Sequence, residues 1–307
     1  MIVSCGEALI DFLPRRGDDG ATVYAPAAGG SPMNVAIAAA RLDAPAAFFG
    51  GLSTDLFGDM LRAALAASGV ELTYAATSER PTTLAFVNFD GGDARYAFFD
   101  ENSAGRMLTG NDLPAFAKEV AALHFGSFSL ASEPCGSAFE ILMQREQRDR
   151  VISLDVNVRP SLIRNRDGYL ARIARLVAMS DIVKVSTDDL AWLAPDTTFR
   201  ALAEGWMASG ASLVVLTRGA GGAEAMTRGA HAETPGITVG VADTIGAGDT
   251  FTGAMLARLR ETKMLTKTAV AGMTGDTLTA LLAFAVSAAA ITVSRPGADP
   301  PWRRELP

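Results

Sequence analysis

The sequence contains few of the residues that build metal sites and disulfide frameworks. Its 307 residues include two cysteines, Cys5 and Cys135, and two histidines, His124 and His231. The cysteines, one in a predicted strand and one in a predicted loop, lack metal-site or disulfide spacing, and the histidines lack local ligand partners. A zinc enzyme and a disulfide-stabilised secreted domain are therefore disfavoured, and a reducing cytoplasm fits this composition.

Runs of positive charge are also missing. The formal net charge is -7, and no cluster of Lys or Arg could neutralise a series of phosphates, so nucleic acid is not an expected partner. Residues 1–6 lack the basic start and apolar core of a signal peptide. The apolar run at 278–293 is short for a membrane span and mostly Ala, Ser and Thr, so we predict a buried helix running into a final strand and no membrane partner.

Two glycine motifs that bind nucleotides are absent. The P-loop pattern G-x-x-x-x-G-K-[ST] does not occur, and no G-x-G-x-x-G opens the first predicted helix. Gly246 and Gly248 lack the third glycine at the required offset. These absences argue against a P-loop kinase and a dinucleotide-dependent dehydrogenase.

Short apolar runs and helical stretches alternate along the chain. The predicted strands are residues 2–5, 47–50, 123–126, 151–155, 182–185 and 213–217. The predicted helices are residues 33–42 after a Ser-Pro cap, 55–69, 136–147, 168–179, 199–208 and 249–260. This alternation predicts an α/β fold with a mostly parallel sheet covered on both faces, which binds ligands beyond the carboxyl ends of its strands.

Two segments break this alternation. Residues 12–28, and residues 82–99 with an Asp-Gly-Gly-Asp turn at 90–93, have the pattern of β-hairpins. Together they predict a small β lid, formed by about residues 12–28 and 82–100, over the crevice of a single domain spanning residues 1–307.

Residues 243–249, with the sequence Asp-Thr-Ile-Gly-Ala-Gly-Asp, precede an amphipathic helical stretch. Two glycines at a helix start leave backbone N–H groups open, and the helix dipole favours an anion there. Asp249 at this place suits a general base that accepts a hydroxyl proton during phosphoryl transfer. The alternative is an ordinary helix cap, and the residues alone leave both interpretations open.

The string at 243–249 resembles the C-terminal signature of the ribokinase-like (PfkB) carbohydrate kinases, and Gly-Gly-Ser-Pro-Met-Asn at 29–34 resembles their N-terminal signature. The similarity extends from residue 6 to residue 298 and is greatest to fructokinase-type members. It implies a ribokinase-like three-layer fold with helices on both faces of the sheet and a β lid. The implied activity is ATP-dependent phosphorylation of a small sugar, with Mg²⁺ and, in some members, K⁺.

The resemblance also implies the roles of individual residues. Asp249 is the catalytic base, and Gly246, Ala247 and Gly248 form the anion hole. An Asp-x-Asn-x-Arg element at 155–159 brings Arg159 to the substrate, or else Arg159 forms a structural ion pair with Asp155. The residues implied for the sugar are Asp11, Gly29, Gly30, Asn34, Phe98, Asn157, Arg159 and Asp249.

The same resemblance implies a nucleotide site and two cation sites. Lys184 contacts phosphate or caps its strand, and Asp189, in an element that departs from the family's Asn-x-x-Glu, is the candidate for the magnesium shell. The nucleotide residues are Lys184, Ser186, Thr217, Gly219, Gly222, Thr244, Gly246, Gly248 and Ser287. The monovalent cation would be bound by the backbone of Asp243, Ile245, Arg295 and Ala298.

The expected substrate is a neutral hexose, fructose, phosphorylated at its terminal hydroxyl. Asp100 and Glu101 stand where acid-binding relatives carry an Arg, and carboxylates over the sugar would repel an acid. The positive charge of Arg159, in contrast, would favour an acid. The alternatives are a kinase for 2-keto-3-deoxygluconate, ribose or a nucleoside, or a non-catalytic sugar sensor on the same fold, and a homodimer through the lid is a further expectation.

Overall fold

The computed structural model describes residues 1–17, 19–90 and 93–306, with the side chains of residues 88–90 and 93–96 excepted. Two sheets dominate it, and a third, two-stranded sheet accompanies them. The strands are β1 (Ile2–Cys5), β2 (Leu9–Arg16), β3 (Thr22–Gly29), β4 (Ala46–Phe49), β5 (Gly51–Ser53), β6 (Ala76–Ser78), β7 (Thr83–Asp90), β8 (Asp93–Phe99), β9 (Ala122–Gly126), β10 (Val151–Asp155), β11 (Ile182–Ser186), β12 (Leu213–Thr217), β13 (Ala223–Met226) and β14 (His231–Thr234).

The central sheet has eight strands in the order β14-β13-β12-β11-β10-β9-β1-β4. The pairs from β4 to β12 are parallel, whereas β13 and β14 add an antiparallel edge. All six strands predicted from apolar runs belong to this sheet, as the alternation with helices requires. The helices are α1 (Ser31–Arg41), α2 (Leu56–Ala67), α3 (Cys135–Glu146), α4 (Arg166–Ala178), α5 (Thr187–Leu193), α6 (Phe199–Ser209), α7 (Ala247–Glu261), α8 (Lys267–Ala271) and α9 (Gly275–Val293).

Successive strand residues point to opposite faces of the sheet, and each face carries its own core. Ile2 and Leu213 pack with the residues of α1, α7 and α9. Val3 and Val214, one position further along the same strands, pack with α3, α4 and α6. The result is the three-layer arrangement expected from the sequence.

The predicted hairpins form a separate four-stranded sheet in the order β3-β2-β7-β8. Strands β2 and β3 pair antiparallel, as do β7 and β8, and β2 lies parallel to β7 with Asp11 opposite Ala85. The predicted turn at 90–93 includes Gly91 and Gly92, which lie outside the described residues. This sheet therefore brings Asp11 and Phe98 together from distant parts of the chain.

Three local expectations were wrong. Helix α1 begins at Ser31 with Gly30 as its N-cap, so the Ser31 side chain does not cap it. Cys135 starts α3 instead of lying in a loop. Helix α9 continues to Val293, and no strand follows it in the described chain up to residue 306.

Helix α9 meets the length and hydropathy of a membrane span. In the structure it packs against α7, β13 and β14. Leu278, Leu282 and Ala285 are buried in the core that these elements share. The buried helix expected from the sequence is therefore present, and its apolar face is explained by packing inside the protein.

Candidate active site

A cavity of about 310 Å³ lies where the carboxyl ends of β1, β9 and β10 meet the four-stranded sheet and the N-termini of α1 and α7. Sequence reasoning missed five of its lining residues: Glu7, Leu9, Ser31, Ser127 and Phe128. The predicted residues that line it are Asp11, Gly30, Asn34, Phe98, Asn157, Arg159, Lys184, Thr244, Ile245, Gly246, Gly248 and Asp249.

Both helices that point into the cavity start with a glycine at positive φ. Gly30 caps α1 at φ 107°, and an added Cβ would lie 2.6 Å from the Glu7 carbonyl oxygen. Gly246 caps α7 at φ 75°, and an added Cβ would lie 2.6 Å from the Ala298 Cβ. Glycine is therefore required at both helix starts. Gly246, Gly248 and Asp249 at the start of α7 line the cavity, where a helix leaves N–H groups without intrahelical partners.

The carboxylate of Asp249 lies in the first turn of α7 and is only 8% exposed. Ser31 Oγ donates a hydrogen bond to its Oδ1 at 2.6 Å, and Asn34 Nδ2 donates one to its Oδ2 at 2.8 Å. Both donors come from the first turn of α1, which explains why the Gly-Gly-Ser-Pro-Met-Asn signature and the Asp249 signature occur together. A buried carboxylate held in one orientation beside open N–H groups can act as a proton acceptor next to an anion site.

Asn157 and Arg159 follow β10 and reach the same cluster. Asn157, at φ 40°, donates from Nδ2 to Ser31 Oγ at 2.9 Å. Arg159 Nη1 donates to Asn157 Oδ1 at 2.5 Å. Asp155 pairs instead with Lys184, so the alternative of an Arg159–Asp155 ion pair is wrong.

Lys184 and Asp155 form a buried ion pair beneath the start of α7. Lys184 Nζ donates to Asp155 Oδ2 at 2.8 Å, and the two side chains are 5% and 0% exposed. Burial opposes the ammonium charge, but Asp155 and Asp189 outweigh it and raise the pKa of Lys184. A Cβ on Gly248 would lie 3.3 Å from Nζ. Lys184 therefore brings positive charge to the anion site as well as pairing with Asp155.

Two other carboxyl groups of the cavity have raised pKa values. Burial raises the pKa of Glu7 to about 7, against the lowering effect of hydrogen bonds from Ser129 and Ser127. Burial also raises the pKa of Asp11 to about 6, although Arg159 opposes the shift. Both groups therefore change charge close to neutral pH.

The predicted cation ligands occupy two places. Asp189 completes the capping box of α5, whose N-cap is Ser186. Its Oδ1 accepts from the Val158 N–H at 2.7 Å, and its Oδ2 accepts from Ser186 N and Oγ. Asp243 accepts from the N–H of Ile245 and of Gly297, both at 3.0 Å. Asp243 thereby joins the α7 signature to the turn that contains the predicted residues Arg295 and Ala298.

Several predicted nucleotide residues lie outside this cavity. Thr217 ends β12, and Gly219 and Gly222 form the turn between β12 and β13. Ser287 lies on α9, where its hydroxyl donates to the Ala283 carbonyl. The predicted sugar residue Gly29 ends β3 beside Asp11, likewise outside the cavity lining.

A histidine cluster was also missed. His231 lies with Glu224 and Glu233 so that one ligand atom from each falls within 4.8 Å of the others. The expectation that His231 has no ligand partners was therefore wrong. Arg218 forms ion pairs with both carboxylates, so the cluster already contains its own cation.

Asp100 and Glu101 do not face the sugar cavity. Asp100 is 7% exposed and accepts hydrogen bonds from Thr83, Ser103 and Arg106. The side chain of Glu101 is 84% exposed. The argument for a neutral substrate from these two carboxylates was therefore wrong, because Asp100 is a structural acceptor and Glu101 points to solvent.

Comparison with known proteins identifies the family. Residues 1–304 match the pfkB family carbohydrate kinase. The chain is 48% identical over 273 residues to the fructokinase of Rhizobium leguminosarum bv. trifolii, which covers 89% of this chain and 84% of the relative. The solved fructokinase of Xylella fastidiosa with bound ATP superposes with a TM-score of 0.90 at 29% identity, covering 100% of this chain and 94% of that one.

A second solved relative carries both a sugar and a nucleotide. It is a double mutant of the fructokinase of Vibrio cholerae O395 with fructose, ADP and potassium ion bound. It matches with a TM-score of 0.84 at 27% identity, covering 97% of this chain and 93% of that one. The whole-chain match and the Asp249 site together lead to one conclusion: this chain belongs to the pfkB family of carbohydrate kinases, phosphotransferases with the ribokinase-like fold that act on a sugar hydroxyl.

Proposed function

We propose that the protein is a fructokinase that transfers the γ-phosphoryl group of ATP to the terminal hydroxyl of fructose. The observation that carries the proposal is the buried Asp249 carboxylate, held by Ser31 and Asn34 at the start of α7. It opens on a cavity of about 310 Å³, a size that suits a small ligand such as a monosaccharide. The choice of fructose is supported by the relatives, which bear the name fructokinase.

In this proposal Asp249 removes the proton of the attacking hydroxyl. The unpaired N–H groups of the first turn of α7 stabilise the charge on the transferring phosphoryl group, and Lys184 adds a cation beneath Gly248. Asp11 accepts hydrogen bonds from the sugar hydroxyls, and Asn34 donates hydrogen bonds to them.

The charges that line the cavity favour a neutral sugar over an acid. Glu7, Asp11 and Asp249 contribute carboxyl groups. Of the two cations, Lys184 is paired with the Asp155 carboxylate, whereas Arg159 donates to the neutral amide of Asn157 and keeps its charge. A substrate carboxylate would therefore meet more negative than free positive charge, whereas a polyol can donate to the same oxygens.

The proposed cofactors are ATP, Mg²⁺ and K⁺. The turn at Gly219 to Gly222 and Ser287 would hold the nucleotide, and Mg²⁺ would neutralise charge on its phosphates. Asp189 fits an outer-shell role through water, because both of its oxygens already accept hydrogen bonds from the protein. The backbone near Asp243, Ile245, Arg295 and Ala298 would hold K⁺, since Asp243 draws these two segments together.

The four-stranded sheet is proposed to act as the lid and as a dimer surface. Asp11 and Phe98 project from it into the cavity. On the opposite face of the sheet, Tyr24 and Phe99 are 41% and 61% exposed, and both contact the Phe86 ring. An exposed apolar face of this kind favours pairing with the same face of a second copy.

The pKa of Asp11 leads to a prediction for sugar binding. As the pH falls through about 6, the Asp11 carboxyl gains a proton and loses its capacity to accept from the sugar. The affinity for fructose, measured by calorimetry, should therefore fall about tenfold between pH 7 and pH 5. Asp11→Asn should bind weakly without this dependence, and Glu7→Gln separates any contribution from the Glu7 group. An unchanged pH dependence in Asp11→Asn would contradict the assignment.

The substrate proposal predicts a preference that can be measured directly. With Mg-ATP, kcat/KM for fructose should exceed that for 2-keto-3-deoxygluconate, ribose and nucleosides by at least about fivefold, since each buried polar group left unpaired costs at least about 1 kcal/mol. A preference for the acid would show that Arg159 turns to the substrate. Sugar binding without any turnover would instead support the sensor.

A further inference from the structure

The hydrogen bonds around Asp249 form a chain with a single possible direction. An arginine side chain only donates, so Asn157 Oδ1 must accept from Arg159 Nη1 at 2.5 Å. This fixes the amide orientation and turns Asn157 Nδ2 toward Ser31 Oγ at 2.9 Å. Ser31 has one hydroxyl proton, and it is left to donate to Asp249 Oδ1 at 2.6 Å.

We propose that Arg159, Asn157 and Ser31 are positioning residues that orient the base Asp249 through this chain, an inference that rests on the proposed kinase function. Arg159 acts at a distance, because it sets the amide of Asn157 and thereby the direction of the Ser31 proton. The Ser31 hydroxyl, fixed as a donor to Oδ1, stabilises the ionised Asp249 carboxylate. It also holds Oδ2, the oxygen that accepts from Asn34, toward the sugar.

The hydrogen-bond chain to Asp249 is buried, so the loss of one of its donors should weaken the site. Ser31 and Asp249 are 7% and 8% exposed, so water cannot readily replace a missing donor. The titratable and charged groups that share the cavity with Asp249 or act on it are Glu7, Asp11 on β2, Asp155 on β10, Arg159 and Lys184 on β11. None of them donates to Oδ1 among the described contacts, and they are unchanged in the variants below.

The test is the pH profile of the single-turnover rate in Ser31→Ala, Asn157→Gly and the double variant. Glycine suits position 157 because its φ is 40°. Ser31→Ala should slow phosphoryl transfer about tenfold and move the acid limb of the profile up by about one pH unit, since one hydrogen bond to a charged group is lost. Asn157→Gly should change both in the same direction but by less, because Ser31 keeps its proton and loses only the donor that directs it. The double variant should be no worse than Ser31→Ala, because Asn157 acts through Ser31.

Ser4→Ala is the matched control. The Ser4 hydroxyl is also buried and also binds the first turn of α1, at the Pro32 carbonyl, but it does not touch the base. The Ser4→Ala enzyme should keep the acid limb of the wild-type pH profile. Ser31→Thr keeps the hydroxyl and should restore the wild-type limb.

Two results would contradict the proposal that this hydrogen-bond chain orients Asp249. One is an additive loss in the double variant, which would mean that Asn157 acts on the substrate directly. The other is a wild-type acid limb in Ser31→Ala. If the wild-type protein phosphorylates the sugar, either result leaves the proposed kinase function intact. An inactive wild-type protein would instead contradict the proposed function itself.

Discussion

The Asp249→Asn enzyme is expected to bind fructose and ATP as the wild type does and to lose about 10²- to 10⁴-fold in kcat. The amide has nearly the same shape but cannot take a proton. It also presents an NH₂ group to Ser31 or Asn34, which both donate to this side chain in the wild type. The expected signature is therefore a loss in kcat with little change in the affinities measured by calorimetry.

Asp276→Asn provides the comparison. Asp276 also lies in the first turn of a helix, α9, and is exposed far from the cavity lining. The same chemical change there should leave kcat unaltered. Gly246 caps α7 and no side chain of the described residues caps that helix end, so the alternative of an ordinary helix cap was wrong. If Asp249→Asn kept most of the wild-type kcat, Asp249 would be only a structural acceptor for Ser31 and Asn34.

The Lys184→Met enzyme should lose about 3 to 5 kcal/mol of unfolding free energy, because the Asp155 carboxylate would be left buried and unpaired. Asp155 is completely buried, and its Oδ1 lacks a hydrogen-bond partner among the described atoms. Burial already raises its pKa to about 6. Lys184 opposes this shift, so the pKa of Asp155 should be higher still in the variant. The loss, measured by urea unfolding, should therefore shrink as the pH falls toward 6 and stay constant below it, where the carboxyl is neutral in both proteins.

Two further variants make this result specific. Lys267 forms an ion pair with Asp181 at 2.6 Å, and its side chain is 36% exposed. Lys267→Met should therefore lower the free energy of unfolding by about 1 kcal/mol or less. Adding Asp155→Asn to Lys184→Met should restore part of the lost stability by removing the buried charge. A Lys184→Met protein as stable as the wild type would contradict a charged buried pair.

The strands and the place of Asp249 at a helix start were predictable because their signals are local. Apolar runs bounded by helical patterns identified the parallel strands of the central sheet, and the glycines before Asp249 indicated the helix start. Long-range partners were not predictable in this way. Ser31 before Pro32 has the pattern of a cap, but Gly30 takes that position and frees Ser31 to bind a residue 218 positions away.

Asp100 shows the same limit. Its sequence position beside the aromatic pair suggested a place over the sugar, but Thr83, Ser103 and Arg106 supply donors that turn it inward. Helix α9 takes up the whole apolar run to Val293, so no final strand forms, because the helix packs against α7. In each case tertiary partners, which a single sequence does not reveal, decided the outcome.

The most direct test is ³¹P NMR of the protein incubated with Mg-ATP and fructose. The account predicts one phosphate monoester on the terminal hydroxyl of fructose for each ADP formed, and neither product in the Asp249→Asn enzyme beyond the small residual rate. ADP with inorganic phosphate and no sugar ester would contradict it, as would an Asp249→Asn enzyme that forms the ester at the wild-type rate.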